Sequence, residues 1–238
     1  MQSVWILWAI GLTVITFVST RMVRRSKELG FAALLSFYVL YLSATQLFGT
    51  RTVAFDLGIY SFYAPSGVFI YPFIAQVIDM INETYGKEKT RFAIAIAFVS
   101  QLVLMMFFVM GKTLAPSPYF PYEEAWQSIF SLSFRVTIAS WISFVVCQNI
   151  DAYVFAWLKS RYEDIPILRS VASDAIDLSL DSVIFVTVAF YGVEPIVPLL
   201  IGQVVSKNII SFIDTPWFLL YRKMVSKTKI NEKETLLS

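Results

Sequence analysis

Residues 92–114 read FAIAIAFVSQLVLMMFFVMGKTL. The stretch holds one charge, Lys112 close to its end, and one amide, Gln101. A helix of about 20 mostly apolar residues is long enough to cross the hydrocarbon core of a bilayer. The stretch therefore predicts a membrane span. Six others of similar character lie around it, at roughly 4–20, 29–49, 59–83, 132–158, 171–191 and 197–221. The composition fits: 57% of the 238 residues are hydrophobic and 15% are charged, against about 25% charged in a soluble domain. A water-soluble globule and a disordered chain are both excluded. The expected fold is all-α: a polytopic membrane helical bundle of about seven transmembrane helices, forming one integral-membrane domain over 1–238.

Charge placement gives the orientation. Arg21, Arg24, Arg25 and Lys27 follow the first span; Lys87, Lys89 and Arg91 follow the third. Lys159, Arg161 and Arg169 follow the fifth; Arg222, Lys223, Lys227, Lys229 and Lys233 follow the seventh. These segments hold 15 of the 19 basic residues, and the loops between them hold only Arg51 and Lys112. Basic loops stay cytoplasmic, so the N-terminus is expected outside and the C-terminus inside. Residues 1–28 read as a retained N-terminal anchor helix rather than a cleaved signal, because the basic cluster follows the apolar run. Residues 222–238 read as a cytoplasmic tail, and the localisation as a multi-pass protein of the cell membrane.

Several chemistries are absent from the residue list. There is no histidine, which removes Ser-His, Cys-His and HExxH mechanisms. One cysteine, Cys147, cannot pair within the chain. The formal charge of +2 gives no reason to expect a nucleic-acid partner. No P-loop and no GxGD pattern occurs. The chain is read as a non-enzyme that uses no cofactor and no metal.

Irregular sequence interrupts two places. Pro65-Ser66-Gly67 and Pro72 predict that span 3 is broken at Pro65/Pro72, since proline lacks a backbone donor and clashes with the preceding turn. The break is either a simple kink or the mark of a helix lining a water-filled path. The outer loop 115–127, APSPYFPYEEAWQ, is either a lid or a set of aromatics resting at the headgroups.

Polar residues concentrate on four spans. Span 3 carries Gln76, Asp79, Asn82 and Glu83; span 5 carries Arg135, Gln148, Asn149 and Asp151. Span 6 carries Asp174, Asp177 and Asp181; span 7 carries Gln203, Lys207, Asn208 and Asp214. A charged side chain at mid-bilayer costs about 2.5–3.5 kcal/mol on insertion scales. Spans 3, 5, 6 and 7 are therefore expected to face one another around a wet site, with spans 1, 2 and 4 toward lipid. At about 100° per residue Asp174 and Asp181 share a face, as do Lys207 and Asp214. Asp181 and Lys207 are the deepest opposite charges, and an ion pair between them is expected, whether structural or functional. Glu83, Asp174, Asp214 and Arg135 are also readable as wetted helix ends. Carboxylates can accept two parallel N–H bonds from a guanine-like edge, while amides and a lysine satisfy carbonyl or nitrile acceptors. Phe73, Tyr85, Trp141 and Phe185 could stack on a flat ring. A small planar heterocycle is the natural ligand.

The order of these motifs resembles a known family. Asp79-x-x-Asn82-Glu83-x-Tyr85-Gly86-Lys87, Arg169-Ser170, Asp181-Ser182-x-x-Phe185, and Lys207 followed by Thr215-Pro216 are similar to the VUT family of queuosine-precursor transporters, over about residues 30–225. The resemblance implies an importer of 7-deazapurines, such as 7-cyano-7-deazaguanine or its aminomethyl relative, for tRNA-modification salvage. It makes Asp79, Glu83, Asp181 and Lys207 the leading contacts, with Arg169 and Ser182 beside them, and the polar spans lead to a carrier that exposes one central site alternately to the two sides. The wider candidate set adds Gln76, Asn82, Gln148, Asp151, Asp177 and Phe185. The alternative is the substrate-binding subunit of an energy-coupled vitamin importer, which would need ATPase partners. Expected partners are the bilayer and the small heterocycle; a homo-oligomer and a coupling proton are compatible with the sequence.

Overall fold

The computed structural model describes the backbone of every residue except 1, 57–60, 162–165 and 238, and the side chains outside 1–3, 56–60, 148–149, 151–175, 177 and 227–238. Helix α1 spans Gln2–Arg25 and α2 spans Lys27–Phe48. An antiparallel hairpin follows, β1 (Thr52–Asp56) and β2 (Ser61–Pro65), with Thr52 opposite Pro65 and Ala54 opposite Tyr63. A 3-10 turn over Ser66–Phe69 leads into α3 (Tyr71–Thr113), then α4 (Glu123–Arg161), α5 (Pro166–Phe190) and α6 (Ile196–Leu237).

Among the described residues the chain is thus an all-α membrane protein apart from one hairpin. Among the described residues five helices are long and apolar enough to cross a bilayer: Val4–Arg25, Lys27–Phe48, Tyr71–Thr113, Glu123–Cys147 and Ile196–Ser226. Leu178–Phe190 is a shorter apolar helix.

The segment expected as span 3 departs from its apolar reading. Its first part forms β2 and the 3-10 turn, and the helix begins only at Tyr71. Pro65 ends β2 rather than breaking a helix. Pro72 lies in the first turn of α3, where its missing N–H is an orphan in any case. The next real interruption is Gly86, with φ 77° and ψ 176°, which divides α3 into two helices. Only glycine reaches this left-handed region without a Cβ penalty.

The chain divides into two compact units. The first comprises 1–45, 69–104 and 210–238. Its core gathers Ile15, Leu34, Tyr38, Val77, Met80, Ile81 and Tyr221. Helix α1 buries a stripe of Trp8, Leu12, Ile15, Thr16, Ser19, Thr20 and Val23, which follows the 3.6-residue period of one helix face. Val4, Leu7, Ile10, Val14 and Phe17 remain exposed on it. Span 1 was expected to face lipid, yet its inner stripe packs within this unit. The indole of Trp8 donates to the carbonyl of Phe69 at 3.1 Å, and that of Trp217 donates to Thr13 at 2.9 Å. The stripe escapes a search for charged groups because its polar members are hydroxyls. Thr16 and Thr20 bond carbonyls one turn back, so they are inexpensive to bury.

The second unit comprises 46–68 and 105–209. Here α4 packs along α5, and Val136, Ala139, Phe185, Val186, Ala189, Phe190 and Leu199 form the core. A Cβ at Gly202 would overlap the backbone carbonyl of Tyr63. The start of α6 therefore lies directly on β2, an approach that only glycine permits.

Candidate functional site

The second unit contains a partly buried ion pair. Asp181 on α5 and Lys207 on α6 are joined by a salt bridge between the Lys207 ammonium and one Asp181 carboxylate oxygen. The hydroxyl of Ser143 on α4 donates to the other carboxylate oxygen. It also lies 3.2 Å from the Asp181 main-chain carbonyl. Three helices thus converge on one carboxylate. The Lys207 side chain is 8% exposed and that of Asp181 25% exposed, so the cation is sealed while the acid keeps an open side. In a low-dielectric setting neither charge would be tolerated alone, and pairing plus a hydroxyl donor compensates the carboxylate.

The local sequence makes this geometry. Ser143 lies three residues after Ser140 and six after Thr137, so α4 presents a small hydroxyl face. Thr137 donates to Gln46 at 3.1 Å, and both are buried. Lys207 stands one turn after Gln203, which is itself 3% exposed. Arg135 caps a neighbouring helix. Its guanidinium donates to the carbonyls of Val188 at 3.3 Å and Tyr191 at 2.9 Å, capping the C-terminus of α5.

The other sequence candidates divide as follows. Ser182 is fully buried, but its hydroxyl donates to the Leu178 carbonyl at 2.7 Å, one turn back. Phe185 meets Phe190 edge to face at 6.2 Å inside the core, which makes it a packing residue. In the first unit the Gln76 amide donates to Thr16 at 2.7 Å and is buried. Asp79 is exposed on α3. Asn82 is exposed. Glu83 pairs with Arg222 at 3.5 Å, both largely exposed, as a wetted helix end would be. Tyr85 donates to the Lys27 carbonyl at 2.8 Å, and Phe73 sits edge to face with Trp8 and Tyr41. The side chains of Gln148, Asp151 and Asp177, with Asn149, Asp174 and Arg169, lie outside the described residues.

The structure therefore brings Asp181 and Lys207 together, and it adds Ser143, which the sequence reading missed. A serine among several on an apolar helix carries no distinguishing signal, because most such hydroxyls bond their own backbone. Gln76, Asp79, Asn82 and Glu83 lie on α3 in the first unit. Among the described residues no cluster of three metal-ligating side chains occurs.

Residues 65–221 match the family described as "Putative vitamin uptake transporter". The chain belongs to this family. The matched segment contains every candidate residue from Gln76 to Lys207. The chain is 29% identical over 168 residues to the "Probable queuosine precursor transporter" of Bacillus subtilis (strain 168), covering 68% of this chain and 73% of the relative. It is 27% identical over 133 residues to the protein of the same description from Haemophilus influenzae, covering 56% of this chain and 54% of that one. No solved structure matches the chain. The vitamin uptake transporter family is one of transporters. With its long apolar helices, this member is a multi-pass protein of the cell membrane.

Proposed function

We propose that the chain imports a queuosine precursor, 7-cyano-7-deazaguanine or 7-aminomethyl-7-deazaguanine, by alternating access. The observation that carries this reading is the partly buried Asp181–Lys207 pair, held by Ser143, in a family member whose relatives are described as probable queuosine precursor transporters. The open side of the Asp181 carboxylate accepts the N–H groups of a guanine-like edge. In the empty protein Lys207 neutralises Asp181. When substrate arrives, Lys207 exchanges part of that pairing for an acceptor on the ligand. Ser182 and Phe185 support α5 behind Asp181.

The proposed topology has seven passes, with the N-terminus outside and the C-terminus cytoplasmic. Gly86 turns the chain between two passes, and Lys87, Lys89 and Arg91 follow it directly, as suits a cytoplasmic turn. The helix over 71–85 is about 22 Å long at 1.5 Å per residue. That falls short of the ~30 Å hydrocarbon core. Short and interrupted helices of this kind are where transporters form their sites.

The test is uptake of radiolabelled 7-cyano-7-deazaguanine by cells that cannot synthesise it. Cells expressing the protein should accumulate label, and Asp181→Ala and Lys207→Ala should each abolish accumulation at equal membrane abundance. Full uptake by both variants would remove the site assignment.

A further inference from the structure

Helix α6 carries a polar side chain that the ion pair does not use. Gln203 precedes Lys207 by four residues, so the two share one helix face, about 6 Å apart along the axis. Gln203 is 3% exposed, and its carboxamide oxygen has no hydrogen-bond partner. A buried amide oxygen without a donor loses its hydration and gains nothing in exchange. Such an atom, one helical turn from Lys207, has the chemistry of a ligand contact. We infer that Gln203 is a specificity-determining residue, whose carboxamide oxygen accepts an N–H of the bound base beside the Asp181 contact; this rests on the transport reading above.

Counting donors supports the assignment. The edge of a guanine-like base presents one ring N–H and an exocyclic amino group with two N–H bonds. A carboxylate that binds this edge with both oxygens takes the ring N–H and one amino N–H. The second amino N–H then faces the protein interior and needs its own acceptor. Among the described buried side chains of this unit two oxygens have no hydrogen-bond partner, Ser133 Oγ and Gln203 Oε1, and Gln203 is the one that shares a helix face with Lys207. Gln203 supplies an acceptor. Asp181 and Gln203 together would then read the full amino group, which rejects bases lacking it because a site polar group is left unpaired.

The experiment compares uptake of 7-cyano-7-deazaguanine with uptake of the same 7-deazapurine lacking the 2-amino group. The two ligands are run in wild type, Gln203→Met and Gln203→Glu. In wild type the amino-bearing base should be preferred by about 100-fold, from two hydrogen bonds lost together. Gln203→Met keeps volume and removes the acceptor, so the preference should fall by about tenfold. Gln203→Glu keeps an acceptor and should stay within about threefold of wild type. If Gln203→Met fails to reach the membrane, Gln203→Asn, one methylene too short, should show the same fall. An unchanged preference in the Met or Asn variant, with uptake persisting, would overturn the inference. So would an equal fall in Gln203→Glu. Failure of the wild-type protein to take up either base would instead refute the transport reading.

Discussion

Replacing Lys207 by methionine tests the ion pair most sharply. The substitution keeps an unbranched chain but removes the ammonium, which leaves Asp181 with Ser143 as its described donor. Breaking a buried pair by deleting one partner costs about 3–5 kcal/mol, because the surviving charge is left uncompensated. The Asp181 side chain is 25% exposed, so water can relieve part of the penalty, and the lower figure of about 3 kcal/mol applies. For a chain of this size each kcal/mol moves the midpoint by about 2–4 °C. Lys207→Met should therefore lower the thermal midpoint in detergent by about 6–12 °C. Asp181→Asn should do the same from the other side, stranding a cation whose side chain is 8% exposed. The double variant should recover most of the loss, since replacing both charges removes the desolvation cost with the attraction. A coupling of at least about 2 kcal/mol in this double-mutant cycle is expected. Single variants that melt within 1 °C of wild type, or a double variant whose loss is the sum of the singles, would refute the reasoning.

Gly202→Ala should destabilise by about 1–3 kcal/mol, read by the same melting assay, because the new methyl group meets the Tyr63 carbonyl and backbone cannot step aside cheaply. Gly86→Ala should cost about 1–2 kcal/mol from its φ of 77° alone, as open space surrounds the site and sterics add nothing. Glu83→Gln should leave the midpoint within about 0.5 kcal/mol of wild type, since its pairing with Arg222 is solvent-exposed. In a Cys147→Ala background, cysteines placed at Ser117 and at Lys223 should react with an impermeant maleimide from opposite faces of the membrane, the first from outside. Labelling of both from one face would contradict the seven-pass topology.

The membrane character was legible from apolar runs because the bilayer imposes length and hydropathy together. The run at 59–71 misled for the same reason. Tyr, Phe, Ala and Val suit a strand as well as a span, and hydropathy does not distinguish them. Pro65 and Pro72 do not break a helix as the sequence suggests: Pro65 ends β2 and Pro72 lies in the first turn of α3, a placement that only the backbone shows. The pairing of Asp181 with Lys207 was readable because each is a mid-span charge that needs an opposite partner. Ser143 was not readable, because a hydroxyl on an apolar helix satisfies itself locally unless another helix offers a better acceptor. Asp79 and Glu83 show the converse. Their motif stands out in the sequence, yet both side chains are exposed, so the motif alone does not make a buried contact.

The most direct measurement of the central claim is a calorimetric titration of the purified protein in detergent with 7-cyano-7-deazaguanine and, separately, with hypoxanthine. The account predicts saturable binding of the first, weak or no binding of the second, and loss of the signal in folded Asp181→Asn protein. Equal binding of both bases, or undiminished binding of 7-cyano-7-deazaguanine by folded Asp181→Asn protein, would contradict it.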